Sequence, residues 1–364
     1  MKKLFLYALV LCLVFTQASS QKKGISYYKP EKGKPKNIIL LIGDGMGLSQ
    51  ITAGMIRNKG TLNLEKFPYC GFIKTWSADN LITDSGAGAT AFSTGKKTNN
   101  EYIGVDAKGN TLKTLLEYAE EKQMRTGIVV TSSVTHATPA AFVAHQKSRN
   151  SHEAIALEYL NHNISVIIGG GRKYFEKRSD GRNLLKDFHA RGYELEDKQK
   201  RAGKYRGEKV LALVADEHLY GARERKDFLP KAATNAVQLL LSSGMGFFLM
   251  VEGSQIDFAG HENSAEYLIE EMVDFDKTIG DIYNLVGKDP ETLIIVLADH
   301  ETGGFAINGG NLADGKVEAG WTTKKHTGTL IPVFASGPGA EAFSGIYDNT
   351  EIFNKILTLI QARP

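Results

Sequence analysis

Ser85 follows Thr83 and Asp84 and opens a run of small residues, Ser85-Gly-Ala-Gly-Ala-Thr-Ala-Phe-Ser-Thr94. Thr83 and Asp84 suit an N-cap, and a run of small residues can begin a helix and lie close against a sheet. In the first turn of such a helix, unpaired N–H groups and the helix dipole favour an anion, so a hydroxyl there is placed to meet a phosphate. Serine and aspartate also cap helices with no further role. To act as a nucleophile, the hydroxyl needs a base or a metal ion beside it. The adjoining Thr94-Gly-Lys-Lys-Thr98 is not a nucleotide phosphate loop: that motif needs Gly at 90 and Ser or Thr at 97, where the chain has Thr90 and Lys97.

Metal-ligating side chains are plentiful. The apolar runs ending at Ile42, Val251 and Leu297 stop at Asp44, Glu252 and Asp299-His300 respectively. In a parallel sheet those ends lie side by side, and ligands bind outside them. Clustered carboxylates in a partly dry site repel each other, so their pKa values rise or cations neutralise them. A histidine beside an aspartate suits zinc, whereas carboxylates with hydroxyl and water ligands suit magnesium. Asp257 and His261 follow four residues apart, and His326 stands before another strand. Singly, Asp257 reads as a turn residue and His261 or His326 as an ordinary hydrogen-bonded histidine. Convergence with Ser85 makes a metal site. His145, His152, His162, His189 and His218 lack such company and read as structural or surface residues.

These side chains need a scaffold. Asn37–Ile42, Cys70–Trp76, Gly127–Val130, Ile164–Ile168, Val210–Val214, Phe247–Val251, Leu293–Leu297 and Leu330–Ala335 read as strands. Helices are expected from Leu48, over Thr111–Lys122, from Pro139 through His145 and Arg149, near Lys231–Ser242, over Ser264–Leu285, and from Thr350. Residues 172–208 are charged and patternless, and 308–325 form a Gly-rich loop; both are expected as surface excursions, the second beginning near 305. Alternating strands and helices predict an α/β fold, a largely parallel central sheet with helices on both faces. No composition break divides residues 21–364, which read as a single domain.

Residues 1–20 have the form of a signal peptide: Lys2-Lys3, an apolar run from Leu4 to Phe15, then Ala18-Ser19-Ser20 before Gln21. The apolar run is short for a membrane span. Cys12 does not make a lipoprotein signal, because Leu11 stands where a small residue is expected. A periplasmic or secreted protein follows. Loss of the two leader lysines moves the formal charge of +3 towards zero, so electrostatics give no argument for binding nucleic acid. Cys70 is then unpaired and is expected to be a buried small hydrophobe.

Taken together, the motifs resemble the alkaline phosphatase family along nearly the whole chain beyond the leader. The resemblance rests on Asp44 within Ile42-Gly-Asp-Gly-Met-Gly47, on Thr83-Asp-Ser-Gly-Ala-Gly-Ala-Thr-Ala91, and on His136-Ala-Thr-Pro139 continuing to Ala144-His-Gln-Lys-Ser-Arg149. It continues through Glu252-Gly-Ser-Gln-Ile-Asp257-Phe-Ala-Gly-His261, Ala298-Asp-His-Glu-Thr-Gly-Gly304 and His326-Thr-Gly-Thr-Leu-Ile-Pro332. The compact length resembles small, cold-adapted bacterial members.

The resemblance implies a phosphate monoester hydrolase of broad specificity and alkaline optimum, with two Zn2+ and one Mg2+ per chain. Ser85 matches the phosphate-accepting nucleophile and Arg149 the bidentate phosphate clamp. Asp257, His261 and His326 match the ligands of one zinc. Asp44, Asp299 and His300 match the second, which also touches the Ser85 oxygen. Asp44, Thr138 and Glu252 match the third site. Beside it, His136 and Phe258 stand where the best-known bacterial enzyme has Asp and Lys. Family habit implies a homodimer. A sulfatase nucleophile motif, Cys- or Ser-x-Pro-x-Arg, is absent. The rival readings are a related phosphodiesterase and a non-catalytic periplasmic phosphate- or metal-binding protein. Arg149 disfavours the diesterase, since its fork suits a dianionic terminal phosphate.

Overall fold

A computed structural model describes residues 34–362 of the chain, and the expected signal peptide lies outside them. The first strand, β1 (Asn37–Gly43), is buried along its whole length, which is why its sequence is an unbroken apolar run rather than an alternating one. Helix α1 (Leu48–Arg57) follows, then β2 (Tyr69–Lys74) and α2 (Ser85–Thr94). Next come α3 (Leu115–Glu121), β3 (Arg125–Ser133), α4 (Ala137–Ala140), α5 (His152–Glu158) and β4 (Val166–Gly170). Residues 172–213 form α6 (Arg172–Glu176), α7 (Leu184–Ala190), β5 (Glu194–Glu196) and β6 (Val210–Leu213). Then α8 (Ala222–Arg225) and α9 (Phe228–Leu241) lead to β7 (Phe247–Gly253), α10 (Gln255–Glu262), α11 (Ala265–Val286) and β8 (Thr292–Leu297). The last part holds β9 (Glu301–Thr302), a hairpin of β10 (Ala306–Asn311) and β11 (Lys316–Gly320), β12 (His326–Thr327), β13 (Ile331–Ser336), β14 (Gly345–Asp348) and α12 (Thr350–Gln361).

Ten of the strands form one sheet in the order β14-β2-β13-β8-β1-β7-β3-β4-β6-β5. All neighbouring pairs run parallel except those made by β13, which is antiparallel to β2 and β8. This is the expected α/β fold. Strands β8, β1, β7 and β3 are adjacent, and Ile42 lies opposite both Glu252 and Leu297, with Val130 opposite Glu252. The register therefore brings Asp44, Glu252, Asp299 and the turn after β3 to one edge.

Four expectations need correction. No helix carries His145 and Arg149: α4 stops at Ala140, because the chain turns and Gln146 exchanges backbone hydrogen bonds with Ile103 at 2.8 and 2.9 Å. Residues 172–208, in which no pattern was read, hold α6, α7 and β5, and β5 joins the sheet beside β6. The Gly-rich loop is largely the β10–β11 hairpin. Cys70 is exposed, on a strand near the sheet edge whose side chains are not all covered.

Candidate active site

Asp84 is the N-cap of α2, and its Oδ1 accepts from the Ala87 N–H at 2.9 Å. Every residue of this helix is buried. Its small side chains permit that approach: a Cβ on Gly88 would stand 3.0 Å from Cβ of Asp299. Ser85 is thereby pressed to the carboxyl edge of the sheet, with Oγ 3.3 Å from Nε2 of His300.

Around Ser85 the structure brings together three groups of side chains, and the ligand atoms within each lie within 4.8 Å of one another: Asp257, His261 and His326; Asp44, Asp299 and His300; and Asp44, His136 and Glu252. In the first group, Nε2 of His261 and Nε2 of His326 both stand 3.4 Å from the Asp257 carboxylate and 3.1 Å from each other. Their Nδ1 atoms face the carbonyls of Lys324 at 2.6 Å and Thr83 at 2.9 Å. Carbonyl oxygens only accept, so each Nδ1 carries a proton and Nε2 is the nitrogen that each ring turns toward Asp257 and the other ring. Two such nitrogens 3.1 Å apart need a proton or a metal cation between them. In the second group, Nε2 of His300 lies 3.3 Å from Asp299 and 3.6 Å from Asp44, and its ring stacks on His326 at 3.5 Å.

Charge in this pocket is unbalanced. Burial, then the charges of Asp299, Asp257 and Glu252, push Asp44 well above the usual carboxylate range. Burial and Asp257 push Asp299 up to about 6, and burial pushes Glu252 up to about 7 against hydrogen bonds from the Ser254 and Ser132 hydroxyls. Burial would raise Asp257 as well, yet the bonds from His261 and His326 hold it well below its ordinary value. Its carboxylate in turn raises His261 to about 9. Several buried polar atoms have no hydrogen-bonding partner: both oxygens of Asp44, Oδ2 of Asp299, Oε1 of Glu252, Oγ1 of Thr138 and Nδ1 of His136. Native proteins rarely leave such atoms orphaned. An arrangement of hard oxygen and imidazole donors fits divalent cations.

Arg149 points into the same space. Its Nη1 pairs with Asp84 Oδ2 at 2.9 Å, and Nη2 lies 3.3 Å from Nε2 of His136. Asp84, read from sequence only as a cap, thus also orients the guanidinium. Thr138 faces Glu252. Phe258 packs on His136 and His218, with ring centroids 5.7 and 5.0 Å away. His218, read from sequence as a structural or surface residue, packs beside the site: its Nδ1 accepts from the Ser133 N–H at 3.0 Å and its ring meets His136 edge-on. The missed signal was its position just past β6, whose carboxyl end lies on the ligand edge. His145 and His162 instead pair with Glu158 and Glu120 away from the ligand groups. A cavity of about 280 Å³, lined in part by Ile82, Thr83, His261, Lys325 and His326, opens beside the first group.

A serine hydroxyl held here needs help to lose its proton and a sink for negative charge on the departing group, and three groups of side chains that could each hold a cation surround it. That makes the protein a metal-dependent hydrolase. The family model described as alkaline phosphatase matches residues 35–316 and 308–362. Alkaline phosphatase 3 of Bacillus subtilis is 34% identical, across 99% of this chain and 97% of its own. The alkaline phosphatase of the Antarctic bacterium TAB5 superposes with a TM-score of 0.86 at 41% identity, covering 92% of this chain and 100% of that one. A histidine-to-aspartate variant of the TAB5 enzyme, with Mg bound in its M3 site, superposes at 0.85 with 40% identity over the same shares. The chain belongs to the alkaline phosphatase family. It is a metal-dependent phosphate monoester hydrolase.

Proposed function

We propose that Ser85 is the nucleophile and that phosphoryl transfer passes through a phosphoserine at this position. The carrying observation is the placement of Ser85 Oγ 3.3 Å from His300 Nε2 at a buried, uncapped set of carboxylates. Asp257, His261 and His326 would hold one Zn2+, and Asp44, Asp299 and His300 the other. Asp44, Thr138 and Glu252, with His136 alongside, would hold Mg2+. Cations bound there would supply Lewis acidity, making the hydroxyl a better nucleophile and balancing charge on the leaving oxygen. Arg149, steadied by Asp84, presents a planar fork to two phosphate oxygens and orients phosphorus for in-line attack. The alcohol departs on the side of His261 and His326, where the cavity of about 280 Å³ opens. Water entering from that side then releases phosphate from Ser85.

Export to the periplasm or outside, on the evidence of the leader, and homodimer assembly belong to the same proposal. Among the described residues no helix is long and apolar enough to cross a membrane. The direct test compares p-nitrophenyl phosphate with bis-p-nitrophenyl phosphate, each with and without chelator. The expected result is fast, chelator-sensitive hydrolysis of the monoester and little of the diester. Preference for the diester, or turnover indifferent to chelator, contradicts the reading.

A further inference from the structure

The dipeptide Glu301–Thr302 touches every segment that carries the two histidine-containing groups around Asp257 and Asp299, yet neither residue belongs to them. Glu301 is 5% exposed. Its Oε1 accepts from Gln50 Nε2 at 2.7 Å and from the Phe305 N–H at 3.0 Å. Its Oε2 accepts from Thr327 Oγ1 and from the Gly304 N–H at 3.2 Å. Each oxygen takes two donors, so the carboxylate is saturated and is not itself a ligand. Gln50, on α1 just after the Asp44 turn, also donates to the Thr302 carbonyl at 3.0 Å. Thr302 Oγ1 donates to Asp257 Oδ1 and lies 3.3 Å from His300 Nδ1. With its only proton given to Asp257, the hydroxyl accepts from His300 Nδ1, which leaves the His300 Nε2 lone pair facing Ser85.

Backbone geometry completes the frame. Strand β9 pairs antiparallel with β12, setting Thr302 opposite His326 and Glu301 opposite Thr327. Glycines clear the path: a Cβ on Gly47 would stand 2.5 Å from Glu301 Cγ, and one on Gly260 would stand 2.8 Å from Thr302 Cγ2. We propose that Glu301 and Thr302 are positioning residues that fix the spacing of the two cation groups: Glu301 locks β12, and so His326, against the Asp299–His300 turn, and Thr302 sets the tautomer of His300 and the aim of Asp257. This rests on the reading that the groups hold zinc.

The experiment uses the full zinc-loaded enzyme and the variants Thr302→Val, Thr302→Ser, Glu301→Gln and Thr327→Val. It measures zinc release to a chromogenic chelator, melting of the metal-free protein, and kcat and KM on p-nitrophenyl phosphate. Partners of metal ligands commonly shift metal affinity about 10- to 100-fold. Thr302→Val and Glu301→Gln are expected to speed zinc release by about 10-fold or more and to lower kcat with little change in KM. Metal-free melting of Thr302→Val should stay close to the wild-type value, and Thr302→Ser should restore both readouts. Thr327→Val, which removes one donor from Glu301, should act in the same direction. Unchanged release in Thr302→Val and Thr327→Val overturns the proposal, as does a drop in metal-free melting that accounts for the faster release. A wild-type enzyme that retains no zinc overturns the zinc reading and this proposal with it.

Discussion

Nη2 of Arg149 lies 3.3 Å from Nε2 of His136. A guanidinium only donates, so this imidazole nitrogen accepts, and the ring proton sits on Nδ1, a buried atom with no partner. Burial, then the charges of Arg149 and His218, hold the His136 pKa well below its ordinary value, so the ring is neutral. A neutral imidazole beside Glu252 and Asp44 brings neither negative charge nor an oxygen ligand, and a hard cation prefers oxygen.

His136→Asp should therefore lower the magnesium concentration needed for full activity several-fold, because a carboxylate replaces a neutral nitrogen next to the third site. Titrating magnesium into the metal-depleted variant and wild type checks this. An unchanged midpoint in a folded variant counts against it.

Phe258 offers no hydrogen bond and no charge, and its ring rests against His136 and His218. Phe258→Lys places an ammonium beside the space Arg149 faces, worth about 1 kcal/mol to bound phosphate directly or through water. Phosphate inhibition should tighten several-fold and kcat should fall where product release limits turnover. The alternative is that Phe258 only packs on the loop bearing His218. An inhibition constant unchanged in a folded variant would establish that packing role.

Stability should fall as pH becomes alkaline. His145 is sandwiched between the Leu112 carbonyl at 2.9 Å and Glu158 at 3.4 Å, and His162 between the Val143 carbonyl at 2.8 Å and Glu120 at 3.1 Å. Burial alone would lower both pKa values, but the carboxylates and carbonyls raise them above the ordinary 6.5. A raised folded value means stability present below the unfolded pKa and lost as pH rises through the folded one. The melting temperature of wild type should thus decline above pH 6.5, and His145→Gln with His162→Gln should flatten that slope. The same slope in the double variant would rule these clamps out.

Legibility from sequence followed the range of the interactions. Asp44, Glu252 and Asp299 were readable because a doubly buried strand ending in an acid is costly without a purpose. The capping role of Asp84 was local and also readable, whereas its pairing with Arg149 spans 65 positions and leaves no local pattern. His218 was missed for that reason: only the fold sets it against His136. β9, β12 and β5 are too short for any periodicity to show, and the turn that ends α4 depends on pairing with Ile103. Glu301 and Thr302 belong to the Ala298–Gly304 motif, but their partners Gln50, Asp257 and Thr327 are on α1, α10 and β12, and contacts of that range leave no local pattern.

Acid quenching during turnover of labelled phosphate monoester, followed by peptide mapping, tests the central claim most directly. The account predicts covalent label on Ser85 alone, and Ser85→Ala should retain the fold, lose the label and drop turnover by orders of magnitude. Label on any other residue, or full turnover by Ser85→Ala, would contradict it.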